Sequence, residues 1–187
     1  PKGARGLRQL MPYTRVEMLA DIKKSGITAE TWPEVFRNDD TLNFILGVHY
    51  SARLMARNIV THLLEKSGFR VGEMPFYQLW LRVDGDRIPD TVIEEVLKKN
   101  SLSVSEQWTA VALSTAGYNS GPYARSLRMK KIPDNGETPD YVKRIRAYYL
   151  YARGQRQAAL EAMIEALQDF RNVYTMQGYL EKVRAAR

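Results

Sequence analysis

Carboxamides such as Gln9 and Asn119, tyrosines such as Tyr118 and Tyr141 and the three separate glutamates Glu73, Glu106 and Glu137 are of residue types that could do chemistry. A carboxamide donates and accepts hydrogen bonds at once, which suits it to hold a ligand rich in hydroxyl or amide groups. Tyr118-Asn119 stand between Gly117 and Gly121, where two glycines loosen the backbone and place the pair on a turn at a helix end. The same grouping is also common turn chemistry. Each glutamate has a structural reading beside the chemical one. Glu106 completes a capping box with Ser103, Glu137 supplies negative charge at the start of a helix, and Glu73 lies in an irregular stretch.

Other chemistries are excluded by residue type. The chain has no cysteine, which removes disulfides, Cys-type zinc sites and thiol catalysis together. His49 and His62 share one long helix without a Cys or acidic pair at metal spacing, and read as surface or core histidines. Gly3-Ala4-Arg5-Gly6 lacks the preceding strand and the Lys-Ser/Thr of a phosphate loop. No metal and no cofactor is expected. With 28 Lys+Arg against 21 Asp+Glu the formal charge is +7, which suits an anionic polymer or simply a well-solvated basic surface. No apolar run approaches the ~18 residues of a membrane span.

The elements that must position these residues are helical throughout, and 187 residues suffice for a sizeable core. Thr14-Arg15-Val16-Glu17 has the pattern of a capping box, with Pro12 ending whatever precedes it. Asn38 to Thr41 offer cap oxygens to a long helix reaching about Lys66. Its Leu42, Ile45, Leu46, Met55, Ile59 and Leu63 form a core stripe, and Gly68 is its stop. Residues 69–104 break the pattern, with Thr91 to Glu94 capping a short helix to about Asn100. Phe76, Tyr77, Leu79, Trp80 and Leu81 there form either a small core or a docking surface, and packing is the expected role.

Ser103-Val104-Ser105-Glu106 opens a helix with Trp108, Val111, Ala112 and Ala116 on one side. Thr138-Pro139 is a cap followed by Pro at the first helical position, starting a helix that carries Tyr141, Val142, Ile145 and Tyr149 to near Gly154. A last helix from about Gln155 places Leu160, Met163, Ile164, Leu167 and Phe170 on one face. The last two helices have the flavour of a tetratricopeptide unit, but one such unit cannot bury its own face. The expectation is a helical extension packed on the domain or on a neighbour.

Three stretches in this order resemble the soluble lytic transglycosylase family. Gly3-Ala4-Arg5-Gly6-Leu7-Arg8-Gln9-Leu10-Met11-Pro12 is similar to its GA-x-GL-M-Q-x-M-P, Gly117-Tyr118-Asn119-Ser120-Gly121-Pro122 to A-Y-N-A-G-P, and Glu137-Thr138-Pro139-Asp140-Tyr141-Val142 to E-T-x-x-Y-V. Between the first two lies Leu42-Asn43-x-x-x-Gly47-x-x-Tyr50, another feature of that family. The resemblance implies an all-α, lysozyme-like helical domain over residues 1–152 with a central insertion at 69–104, and a C-terminal helical extension at 153–187.

It also implies a function: cleavage of the β-1,4 bond between N-acetylmuramic acid and N-acetylglucosamine in peptidoglycan, leaving a 1,6-anhydro end. Ordinary glycosidases need two carboxylates. In this family one glutamate suffices, because the muramic acid's own C6 hydroxyl attacks C1, so the absence of an obvious Asp/Glu pair is consistent with the resemblance. That glutamate stands shortly before the GA-x-GL stretch. The expectation is therefore a chain that is part of a longer protein with its acid upstream of Pro1, the alternative being a lysozyme-like structural or peptidoglycan-binding module that has lost its acid and no longer cuts.

By the same resemblance Gln9 lines the glycan cleft, Asn119 holds an N-acetylated sugar with Tyr118 as its stacking neighbour, and Tyr141 reaches the catalytic glutamate. Arg8 replaces the usual Met and either contacts muropeptide carboxylates or marks a site released from catalytic demand. Glu137 as a substitute acid ranks low, and Glu73 and Glu106 lower still. The implied partners are a peptidoglycan glycan strand and protein neighbours in a larger wall-penetrating assembly, such as a phage particle or secretion machine. The implied location is the periplasm or cell envelope. A nucleic-acid partner would rest on charge alone.

Overall fold

The computed structural model of the chain describes residues 10–69, 76–85, 87–134 and 138–173, without side-chain detail at residue 77 and at 167–173. Among the described residues it is all-α, with nine helices and no strand. Arg8, Gln9, Glu73 and Glu137 lie outside the described residues, as do the side chains of Tyr77, Leu167 and Phe170. No described helix is long and apolar enough to cross a membrane. The chain forms two compact units, residues 1–56 and 57–187.

The first unit contains α1 (Pro12–Lys24), α2 (Pro33–Arg37) and the opening of α3 (Asp39–Lys66). The sequence places a capping box at Thr14, but α1 begins two residues earlier. Pro12 takes the first helical turn, where a missing N–H costs nothing, and Met11 is the cap residue. Thr14 is thereby turned inward, joining Met18 and Ile22 at four-residue spacing as the buried stripe of α1. Asn38 does cap α3, accepting from the Thr41 N–H at 3.0 Å.

Leu42, Asn43, Gly47 and Tyr50 of α3 are all buried, so the polar member of that motif is part of an interior face. On the rim of this unit Arg53 bridges Glu17 at 2.6 Å and Asp21 at 2.8 Å. His49 Nε2 stands 3.7 Å from Asp21.

The second unit takes the remainder of α3 together with α4 (Phe76–Asp84), α5 (Asp90–Lys99), α6 (Val104–Ser120), α7 (Arg125–Arg128), α8 (Thr138–Ala152) and α9 (Arg156–Val173). Leu63 and Leu64 of α3 form one core with Leu79 and Val83 of α4, Ile88, and Val96 of α5. The described part of 69–104 is thus built onto α3, with Phe76 and Trp80 also buried and Leu81 turned outward. Helix α5 starts at Asp90 after Pro89, one residue before the expected Thr91 cap. Pro89 cannot continue a helix backward, and its carbonyl accepts from Val92 and Ile93.

Small residues make the inner faces of two helices. Helix α6 buries Ala110, Ala112, Ser114, Ala116 and Gly117 together with Leu113, while Trp108 and Val111 stay half-exposed. Helix α9 buries Ala159, Ala162 and Ala166, leaving Leu160 at 56% and Ile164 at 47% exposure. Both results follow from close approach: α8 packs against α6 on one side and α9 on the other, and alanine lets helix axes come nearer than leucine does. The turn from α8 to α9 closes at Gly154, whose φ of +75° favours glycine.

Candidate functional site

Helices α6 and α8 run antiparallel, and their shared seam carries the chemistry-bearing residues of this unit. Asn119 Nδ2 donates to Thr138 Oγ1 at 2.9 Å at one end of the seam, while the Trp108 and Tyr149 rings meet at 5.4 Å at the other. Each pair is eleven residues from the other along both helices. That is three turns and about 16 Å, so the two pairs recur on the same sides of α6 and α8. The seam therefore brings the Tyr-Asn motif against the Thr-Pro-Asp-Tyr motif.

The sequence expectation for Tyr118 and Asn119 requires one correction. They do not sit on a turn, because α6 continues through them to Ser120. Gly117 is buried inside the helix, and it is Gly121, with φ +87°, that ends it. A substituted Cβ at Gly121 would meet no atom within 4 Å, so glycine serves the backbone conformation there and not a steric need. Being in the last helical turn fixes Tyr118 and Asn119 more rigidly than a loop would.

Asn119 is exposed although its amide is anchored, and its carboxamide oxygen has no partner among the described residues. It remains an open acceptor for an incoming hydroxyl or N–H. The buried Thr138 hydroxyl accepts from Asn119 in the first turn of α8. Tyr141 follows Thr138 by three residues, so it shares that face of α8, and it is half-buried. The structure thus joins Asn119 and Thr138 at one end of the seam, with Tyr141 three residues further along α8, and Arg8 and Gln9 lie outside the described residues.

Of the carboxylates weighed as proton donors, Glu106 is excluded. Lys66 at 2.9 Å and the Ser103 N–H at 2.6 Å hold its carboxyl well below the ordinary 4.5, at about 2, so it carries no proton to give near neutral pH. Glu106 and Ser103 form the reciprocal capping box that the sequence announces. His62 is buried against the Phe76 ring at 4.8 Å, and burial and the nearby Lys130 ammonium both lower its pKa. No group of three or more His, Cys, Asp or Glu among the described residues could hold a metal ion.

Sequence reading missed a polar cluster and a groove. Arg57 pairs with Asp84 and donates to its carbonyl at 3.1 Å, and Tyr123 O–H donates to the same carboxylate at 3.0 Å. The groove lies where α6 begins, between Ser105, Trp108, Arg146, Tyr149 and Leu150. Trp108 and Tyr149 stand out in the sequence only as helix-stripe residues, and the antiparallel register of α6 and α8 is what makes them neighbours.

Compared with known protein families, curated proteins and solved structures, the chain matches none.

Proposed function

We propose that this chain belongs to a peptidoglycan lytic transglycosylase with a lysozyme-like helical domain, cutting between N-acetylmuramic acid and N-acetylglucosamine and leaving a 1,6-anhydro end. The observation that carries the reading is the Asn119–Thr138 hydrogen bond. Two stretches separated by a connection containing α7, and resembling the family in order, meet through the asparagine and threonine of their motifs. Tyr141 on the same face and the inward-turned Asn43 add to it.

In this reading the open carboxamide oxygen of Asn119 receives an N–H or hydroxyl of an N-acetylated sugar. Tyr118 flanks that sugar, with Gln9 and Arg8 as further contacts. Tyr141 is directed to the proton-donating glutamate, a role that Glu106 cannot fill. The glutamate gives its proton to the glycosidic oxygen as the C1–O bond breaks, and the carboxylate so formed takes the proton of the muramic acid C6 hydroxyl as that oxygen bonds to C1, so bonds and protons balance without a second carboxylate. The place of action is the cell envelope, within a larger wall-penetrating assembly.

The test is digestion of purified sacculi with residues 1–187 and with the longest protein that contains them. Soluble products are read by mass for the loss of water that marks an anhydro end. Anhydro products from either establish the activity. Absence of product with retained pelleting on sacculi would replace it with a non-catalytic peptidoglycan-binding module.

A further inference from the structure

The groove at the far end of the α6/α8 seam has the composition of a binding site and is used by nothing described above. Its walls are the tilted Trp108 and Tyr149 rings, with Leu150 beside them and Ser105 and Arg146 as its polar edge. Arg146 is exposed and has no ion-pair or hydrogen-bond partner among the described residues, unlike Arg15, Arg53 and Arg57, which are all paired. An unpaired guanidinium beside aromatic faces calls for a ligand with a flat apolar side and an anionic group.

The aromatic wall is also held in place. Arg153 lies over the Tyr149 ring at 5.6 Å, its Nη1 donates to Gln107 Oε1 at 2.7 Å, and Gln107 Nε2 in turn donates to the Leu102 carbonyl at 2.9 Å. This chain of contacts restrains Tyr149, which also meets the Trp108 ring. A half-exposed aromatic pair restrained in this way forms a rigid stacking platform.

We propose that this groove binds a carboxylate-bearing saccharide, the sugar ring stacking on Trp108 and Tyr149 and the carboxylate meeting Arg146. The proposal rests on the functional reading above and deepens it. A glycan engaged at Asn119 would have a second foothold three helical turns away on the same seam. Charge complementarity selects the occupant, since the muramic unit carries its carboxylate on the sugar and a neutral glucosamine unit does not.

The test uses N-acetylmuramic acid, too short to span the seam, and neutral N-acetylglucosamine oligomers, titrated into the full chain by calorimetry and by amide chemical-shift mapping. Arg146→Gln is a surface change that leaves the fold intact, and Trp108→Phe keeps an apolar ring but reduces the platform. The expected result is shifts confined to Ser105, Trp108, Tyr149 and their neighbours, with affinity for the acidic sugar falling about tenfold or more in Arg146→Gln. Neutral oligomers should bind weakly and equally to both proteins.

Unchanged affinity in Arg146→Gln, shifts elsewhere, or equal binding of an acidic peptide that lacks sugar would overturn the proposal. Failure of this site is distinguishable from failure of the functional reading. If Asn119→Ala abolishes anhydro products while Arg146→Gln binds like the parent, the groove assignment falls and the activity stands. If N-acetylmuramic acid binds at Arg146 yet no anhydro product forms, the reverse holds.

Discussion

Asn58 Nδ2 donates to Ser114 Oγ at 2.9 Å, and the same hydroxyl donates to the Ala110 carbonyl at 2.6 Å. Asn58 and Ser114 are both buried, so this contact ties α3 to α6 by polar atoms shielded from water. In such a place a hydrogen bond adds modestly when made and costs more when one partner is removed.

Asn58→Ala should therefore lower stability by about 1–3 kcal/mol, because it opens a void and strands polar capacity. Ser114→Ala should cost less, since alanine fits the small-residue face of α6. Urea unfolding of both single variants and the double variant should show coupling of roughly 0.5–1.5 kcal/mol. Strict additivity would mean the two side chains are energetically independent.

The Arg57–Asp84 pair is shielded, with side-chain exposures of 13% and 15%. Asp84→Asn leaves the guanidinium without its counter-charge and weakens the Tyr123 contact. Breaking such a pair from one side costs about 3–5 kcal/mol, whereas replacing both members by apolar residues of similar volume is far milder. Thermal melts of Asp84→Asn and of Arg57→Met combined with Asp84→Leu should rank in that order, the single variant being the less stable.

Two groups set separate windows of pH dependence. His62 has its pKa lowered by burial and by Lys130, so below the ordinary 6.5 the unfolded chain takes up a proton that the folded chain resists. Stability is present above 6.5 and is lost as pH falls from there. Glu106 has its pKa lowered as well, so its contribution is present above the ordinary 4.5 and is lost as pH falls toward about 2. His62→Phe should flatten the upper limb of a stability-against-pH curve, and Glu106→Gln should reduce the lower one, which Glu95, held low by Lys99, shares; because the Glu106 charge raises the His62 pKa, Glu106→Gln should also push that pKa further down.

Thr138→Val keeps the volume of the buried side chain while removing the oxygen that holds Asn119. On the proposed function it should reduce release of anhydro muropeptides nearly as far as Asn119→Ala does, at a stability cost of about 1 kcal/mol. Paired measurement of melting temperature and product release checks this. Full activity in Thr138→Val would show that Asn119 needs no anchoring, and full activity in Asn119→Ala would remove Asn119 from the site.

Polar punctuation was the most legible part of the sequence. Ser103 and Glu106 identified the start of α6 to the residue, because a capping box is a local device whose partners are three residues apart. Thr14 carried the same letters and misled, since Pro12 could take the first helical position and tertiary packing drew the Thr inward. Leu160 and Ile164 are four residues apart and share a face of α9, yet that face is exposed, because the interface with α8 is set by how near the backbones come, and alanines decide that. Within the candidate site, Asn119 and Thr138 could be named from motifs, but their meeting depends on the α6/α8 register, which no local pattern encodes. Arg146 and Tyr149 were invisible as a pair for the same reason.

The capping box of α6 is fastened to another helix. Lys66, at the end of α3, donates to the Glu106 carboxylate at 2.9 Å and to the Ser101 carbonyl at 3.0 Å. A helix start normally frays, and its amides exchange with solvent as fast as the first turn opens. Here the Ser103 amide donates to the Glu106 carboxylate that Lys66 of α3 holds, so its hydrogen exchange reports on the docking of two helices and not on the fraying of one. Deuterium uptake at the exposed Ser103 should therefore slow to the rate of the α3 terminus and accelerate together with it.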